Sequence, residues 1–254
     1  MWATQRRWRT ACLPSIVAVL GPGRSRHGSS GLGLAQDIRR AGWDVLYFDY
    51  RGSWGSPGDF SFSHAIEDGT AAVAYLRDAA TTKVLRLDPA RVALIGHSMG
   101  AFVAVQCAAA DPAVLGLGLI SATDLGGRIP QPLPKAREEA AIRGLTAGYA
   151  AEGMAPLAGC TAEGLARETL ASAASWSFLA KVEVLKQTPA LLVTSDDGFA
   201  PANAAFAAAL RQAGNERVRA LHLPTDHSYS DQRSALSAAV VHWLATLPTQ
   251  VHRH

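Results

Sequence analysis

No apolar run in this 254-residue chain comes near the ~20 residues that a membrane-spanning helix needs, and this excludes a spanning segment. Cysteine is scarce. Cys12, Cys107 and Cys160 lie far apart, are odd in number and show no Cys-x-x-Cys spacing, so neither a disulfide framework nor a structural zinc is indicated. A strong charge of one sign is also missing. The formal +3 comes from 24 basic against 21 acidic residues, with the excess at Arg6, Arg7 and Arg9, and it supplies no basic face for nucleic acid. There is no Gly-Lys-Ser/Thr, which excludes a P-loop, and no internal repeat or long low-complexity run.

What the chain has in quantity is apolar residue, 48% of the total, enough for one sizeable buried core. Short apolar or β-branched runs stand at Ile16 to Leu20, Val45 to Phe48, Val92 to Ile95, Val114 to Ile120, Leu191 to Thr194 and Val218 to Leu223. None alternates cleanly, which is how parallel strands buried on both faces read. Helix-length stretches separate them at Gly33 to Arg40, Ser63 to Asp78, Met99 to Ala109, Ala202 to Ala213 and Gln232 to Leu244. The alternation predicts an α/β fold, a doubly wound and mostly parallel sheet with helices on both faces.

One segment breaks the rhythm. From about Gly126 to Ala180 the chain is rich in Pro, Ala, Gly and charge, with Pro130, Pro132 and Pro134 ahead of Lys135 to Glu139. It reads as a small helical cap insert, residues 126–180, between the core parts 1–125 and 181–254 of one structural domain, placed over the strand ends where ligands bind. At the N-terminus the three arginines followed by Ala11 to Leu20 have the charge order of a signal peptide. No Ala-x-Ala site follows, and cleavage would remove the first strand, so a cytoplasmic protein is expected, with export as the alternative.

The sharpest chemical signal is Gly96-His97-Ser98-Met99-Gly100, which follows an apolar strand directly and opens an alanine-rich helix. A Gly-x-Ser-x-Gly in that context is a nucleophile elbow, whose tight turn presents the Ser98 hydroxyl at a helix N-terminus where a developing anion is favoured. The glycines Gly96 and Gly100 keep strand and helix close, and His97 flanks the serine.

A serine hydroxyl needs a base and a group to hold that base. Of eight histidines, His227 is best placed, in the loop Pro224-Thr225-Asp226-His227-Ser228-Tyr229 after the last predicted strand. His222 falls inside that strand and His242 inside the last helix, as packed or half-exposed residues, while His252 and His254 belong to a tail. The acid is expected after the preceding strand, in Ser195-Asp196-Asp197-Gly198, where adjacent side chains point in different directions and Asp197 is preferred to Asp196. The chain order Ser98, Asp197, His227 matches one of the known serine-hydrolase arrangements.

These residues carry a resemblance. From about Ser15 to Leu247 the chain resembles the α/β-hydrolase superfamily, nearest to its dienelactone-hydrolase-like and prolyl-oligopeptidase-like members. Asp49-Tyr50-Arg51-Gly52, with Ser56 and Gly58, is similar to the Asp-x-Arg-Gly-x-Gly-x-Ser-x-Gly loop common there, with Trp54 in place of a glycine. Asp197 stands four residues before Pro201, as the acid does in many relatives, and Asp226 to Asp231 resembles their histidine loop. The resemblance implies two oxyanion N–H donors, Met99 after the nucleophile and Gly23 in the turn Gly21-Pro22-Gly23 after the first strand, where Pro22 has no N–H to give and Gly21 or Arg24 are the alternatives to Gly23.

Two other readings fit less well. Gly21 and Gly23 lack the third glycine of a dinucleotide site, since Arg26 stands there, and His222, Asp226 and His227 do not have a metal-ligand spacing. No cofactor and no metal are therefore expected. The expected partner is a small-molecule ester, cleaved through an acyl-enzyme on Ser98; an acyltransferase or peptidase on the same residues, or a non-catalytic binding protein on the same fold, are the alternatives.

Overall fold

The computed structural model describes residues 15–20 and 29–248. Six strands form one sheet: β1 (Ser15–Leu20), β2 (Trp43–Tyr47), β3 (Val92–His97), β4 (Gly116–Ile120), β5 (Ala190–Thr194) and β6 (Val218–His222). Their order is β2-β1-β3-β4-β5-β6, and every neighbouring pair is parallel. Parallel neighbours need crossovers, and helices supply them: α1 (Ser29–Arg40), α2 (Phe62–Arg77), α3 (Ala79–Leu85), α4 (Met99–Ala110), α5 (Glu138–Ala151), α6 (Ala162–Trp176), α7 (Val182–Leu185), α8 (Ala200–Gln212) and α9 (Arg233–Leu244). The chain turns one way from β1 to β2 and the other way into β3. The crevice at the carboxyl ends of β1 and β3 is therefore the switch point where such sheets bind ligands.

Side chains leave a strand on alternate faces, and the two cores follow that period. Val92 and Leu94 of β3 join Leu117, Leu119 and Leu192 under α2, α4 and α8, whereas Ala93 and Ile95 join Ile120, Leu191 and Val193 under α1 and α9. α4 lies deepest: every residue from Met99 to Ala108 is buried, which is why its sequence is apolar on all sides. Burial on both faces holds for the inner strands and fails at the edges. In β6 only Val218 is buried, and in β2 only Trp43, because an edge strand lacks a neighbour on one side and the helices that would cover it.

Two short helices escape the sequence reading, α3 and the single turn α7. α3 carries Thr81, Thr82 and Val84, poor helix formers, and it is started by Asp78, which ends α2 in an extended conformation and accepts the Thr81 N–H at 2.8 Å.

Within residues 126–180, α5 and α6 pack together, with Tyr149 and Thr169 hydrogen-bonded at 2.8 Å in their buried interface. Phe62 and Phe102 of the core meet Tyr149 and Trp176 of this segment in a mostly edge-to-face cluster. Glu168 of α6 accepts the N–H groups of Phe62 and Ser63 at 3.0 and 2.8 Å, placing a carboxylate at the positive end of α2. Between the two helices Leu157 makes an isolated antiparallel bridge to Ser53. There the loop after β2 docks, with the Trp54 N–H on the Pro156 carbonyl at 2.9 Å. Trp54 has a φ of 51°, so it adopts the left-handed backbone of the glycine it replaces. Among the described residues no helix is long and apolar enough to cross a membrane.

Candidate active site

β3 ends at His97, and the chain reverses into α4 through Ser98, whose φ of 56° and ψ of −120° lie outside the regions open to an unstrained side chain. Ser98 occupies the position that caps α4 without spending its hydroxyl on the helix. The turn is this tight because Gly96 has no side chain: a Cβ there would stand 2.2 Å from the Gly100 carbonyl oxygen and 2.4 Å from the Ala101 nitrogen. The Ser98 N–H donates to the Ile120 carbonyl at 2.9 Å, tying the elbow to the end of β4. Met99 supplies the first N–H of α4, and among the described residues nothing accepts it. Gly23, the other expected oxyanion donor, lies outside the described residues.

Asp197 and His227 come from the loops after β5 and β6. The His227 Nδ1–H donates to Asp197 Oδ2 at 2.7 Å, which leaves Nε2 unprotonated in the neutral ring and able to accept a proton. Asp226 shapes the histidine loop by accepting the N–H groups of Ser228 and Ser230, each at 3.0 Å. Asp196, one residue from Asp197, points to the surface and meets His222 Nε2 at 3.1 Å. His222 is the last residue of β6 and about half exposed, and His242 is exposed on α9.

The Asp197 side chain is 4% exposed and depends on its neighbours. Burial pushes its carboxyl up, but hydrogen bonds from His227, Ser121, the Phe199 N–H and Ser195 outweigh that and hold it well below the usual carboxylate range. Ser121 and Ser195 belong to a buried chain of hydroxyls. Ser121 Oγ lies 3.0 Å from Ser195 Oγ and 2.9 Å from the Tyr229 hydroxyl, and Tyr229 is also 3.1 Å from the Val193 carbonyl. Ser121 has a φ of 43°, strain that persists only where the surroundings hold it. Burial pushes the Tyr229 phenol up to about 12, so it serves as a neutral hydroxyl. The sequence reading passed over all three, although Ser121 and Ser195 directly follow strand ends on the ligand-binding edge of the sheet.

His97 faces the same loop. Its Nε2–H donates to the His227 carbonyl at 2.8 Å, and the two rings lie 4.6 Å apart at 38°. Its Nδ1 is buried without a partner. Burial first, and the neighbouring His227 second, push the His97 imidazole down to about 4, so it is a neutral clamp on the His227 backbone. Asp124 has a structural use. Its oxygens take the Gly127 and Phe178 N–H groups at 2.8 and 3.2 Å, fastening the start of the 126–180 segment to its end.

Ser98, Met99, His97, Asp197 and His227 all line one cavity of about 390 Å³. Phe60, Phe62 and Leu125 form part of its apolar wall, and Tyr149, Met154, Leu157 and Leu165 close it from the 126–180 segment. The arrangement places an activatable hydroxyl, a proton acceptor and a free helix N–H around an apolar chamber, the parts needed for acyl transfer. Among the described residues no group of His, Cys, Asp or Glu could hold a metal ion.

Residues 16–240 match a family described as the alpha/beta hydrolase family. Two uncharacterised proteins of Mycobacterium tuberculosis are each 35% identical to this chain over 99 residues, 39% of this chain and 33% of theirs, so the match spans about a third of their length. Among solved structures, a monoacylglycerol lipase of Paleococcus ferrophilus superposes with a TM-score of 0.60 at 16% identity, covering 92% of this chain and 95% of that one. A fungal esterase from Rhizomucor miehei gives 0.65 at 19% identity, covering 92% and 73%. An esterase of Pyrococcus furiosus gives 0.64 at 17%, covering 92% and 82%. At these identities the likeness is one of fold.

Proposed function

The chain belongs to the alpha/beta hydrolase family, and from that premise we propose that it is a serine hydrolase of small or medium carboxylic esters. One observation carries the reading: Ser98, held at a strained elbow, shares a cavity with His227, whose Nδ1 is 2.7 Å from a buried carboxylate. Ser98 Oγ attacks the ester carbonyl carbon and passes its proton to His227 Nε2. The developing imidazolium is stabilised by ionised Asp197, and the oxyanion is met by the Met99 N–H with Gly23 as the second donor. The carbon–oxygen bond to the leaving alcohol breaks, the alcohol takes the proton from His227, and an acyl-enzyme remains. Water, deprotonated by His227, then releases the acid and restores the Ser98 hydroxyl. A cavity of about 390 Å³ with a mainly apolar wall suits an acyl chain of modest length.

A fluorophosphonate probe tests the reading without knowledge of the substrate. It should label Ser98, and Ser98→Ala should abolish labelling, lower turnover of a short-chain p-nitrophenyl ester at least about a thousandfold and leave the melting temperature nearly unchanged. Unchanged turnover in that variant removes the proposal. Adding an alcohol or thiol during turnover separates hydrolysis from acyl transfer, since a transferase diverts the acyl group to the added acceptor.

A further inference from the structure

Arg128 faces the Ser98 cavity from the first turn of the 126–180 segment. Its Nη2 donates to Thr123 Oγ1 at 2.6 Å, and the guanidinium carbon lies 5.7 Å from the centre of the Phe199 ring. Both partners belong to the site. The Thr123 N–H donates to the Ser98 carbonyl at 3.3 Å, and the Phe199 ring stands edge-on to His227 at 5.4 Å. A permanent positive charge is thereby tied to two residues that touch Ser98 and His227.

Among the described residues, ion pairs are made by Arg40, Arg51, Arg77, Arg167, Lys186, His222 and His227. Every Asp and Glu of the sequence lies among the described residues, and among them no carboxylate pairs with Arg128. Asp124 feels the Arg128 charge from beyond salt-bridge distance while its oxygens take the Gly127 and Phe178 N–H groups, and Asp197 is engaged by His227. A guanidinium has five N–H donors, and Arg128, an exposed residue that also lines the chamber, spends one on Thr123, which leaves an edge of the fork for another acceptor. That planar edge matches a carboxylate with two parallel hydrogen bonds.

We infer that the substrate is an ester bearing a carboxylate, which Arg128 receives while the rest of the molecule packs on the apolar wall. The inference rests on the serine-hydrolase reading above and narrows it. An apolar chamber alone selects for greasy chains of any kind; an arginine without a salt bridge on the wall of the same chamber adds a charge requirement. The carboxylate can sit on the acyl or on the alcohol side of the scissile bond, and the test addresses each side.

The test compares matched esters in the wild type, Arg128→Gln and Arg128→Lys. Mono-p-nitrophenyl adipate against p-nitrophenyl heptanoate probes the acyl side, and 3-carboxyphenyl butyrate against phenyl butyrate probes the alcohol side. In at least one pair the wild type should favour the charged ester in kcat/KM, and Arg128→Gln should reduce that ratio at least about tenfold, with Arg128→Lys between the two. The preference should also weaken as salt is added. Fluorophosphonate labelling of Ser98 in each variant reports that the site is intact. A labelled enzyme whose ratios do not respond to Arg128 in either pair overturns this inference alone. Absence of labelling in the wild type overturns the hydrolase reading and this inference with it.

Discussion

The two sides of the candidate site are held by different physics. Ser98 is placed by backbone: a glycine with no room for a Cβ, a strand end, and a helix buried on all sides. Asp197 and His227 are placed by side chains, through the Ser121, Ser195 and Tyr229 hydroxyls, the Asp226 turn and the His97 clamp. A close-packed backbone resists any added volume, whereas a hydrogen-bonded network tolerates shape changes and responds to lost polar partners. The comparison teaches that damage to the first side should appear in folding and damage to the second mainly in turnover.

Gly96→Ala should have the largest effect. Its Cβ would meet backbone atoms of Gly100 and Ala101 at 2.2 to 2.4 Å, which no rotamer change can relieve. We expect a loss of at least about 3 kcal/mol, hence a melting temperature lower by several degrees or no folded protein. A variant with unchanged melting temperature and full labelling of Ser98 would show that the elbow is not held by this contact.

On the other side, Asp197→Asn should lower kcat at least about a hundredfold, because the imidazolium loses its counter-charge and its tautomer is no longer enforced, and should also lower the melting temperature, because the hydrogen bonds that favour the ionised carboxylate are lost. Asp196→Asn, which disturbs only an exposed pair with His222, should stay within about tenfold of wild type. Side-by-side kcat measurements decide the assignment, and the opposite ranking would transfer the role to Asp196.

Ser121→Ala comes next. It keeps the strained backbone but strips a hydroxyl from between Ser195 and Tyr229, leaving buried polar atoms short of a partner at about 1–3 kcal/mol. Turnover should fall about tenfold through a less well held Asp197, an intermediate result between the two carboxylate variants. If kcat is unaffected while stability drops, the hydroxyl chain is a packing device and not a support for the acid.

At neutral pH the smallest effect expected is that of His97, which appears as a pH dependence in acid. The His97 imidazole is pushed below its ordinary value of about 6.5 to about 4. In that interval the unfolded chain binds a proton that the folded protein refuses, so this group makes stability fall as pH falls from about 6.5 to about 4, and contributes nothing above it. Denaturant midpoints measured across that range should slope less in His97→Gln than in the wild type. Parallel slopes would mean that His97 takes up its proton without difficulty in the folded state.

Much of this protein was legible in its sequence for a local reason. Strand and helix period, the glycines flanking Ser98 and the turn residues after β5 and β6 are properties of short stretches, and they indicated the parallel sheet, the elbow and the neighbourhoods of Asp197 and His227. What escaped was set by register and by neighbours distant in the chain. Ile120 of β4 pairs with Val193 of β5, and that alignment brings the residues just beyond the two strands together, so that Ser121 meets Ser195 across 74 positions and Tyr229 across 108. No pattern inside either stretch encodes such a meeting. The exposure of β2 and β6, the clamp of His97 on the His227 carbonyl and the position of Arg128 between Thr123 and Phe199 have the same origin. Each depends on which element lies beside which, and packing of the whole chain decides that, because hydrogen bonds and burial act through space and take no account of separation along the sequence.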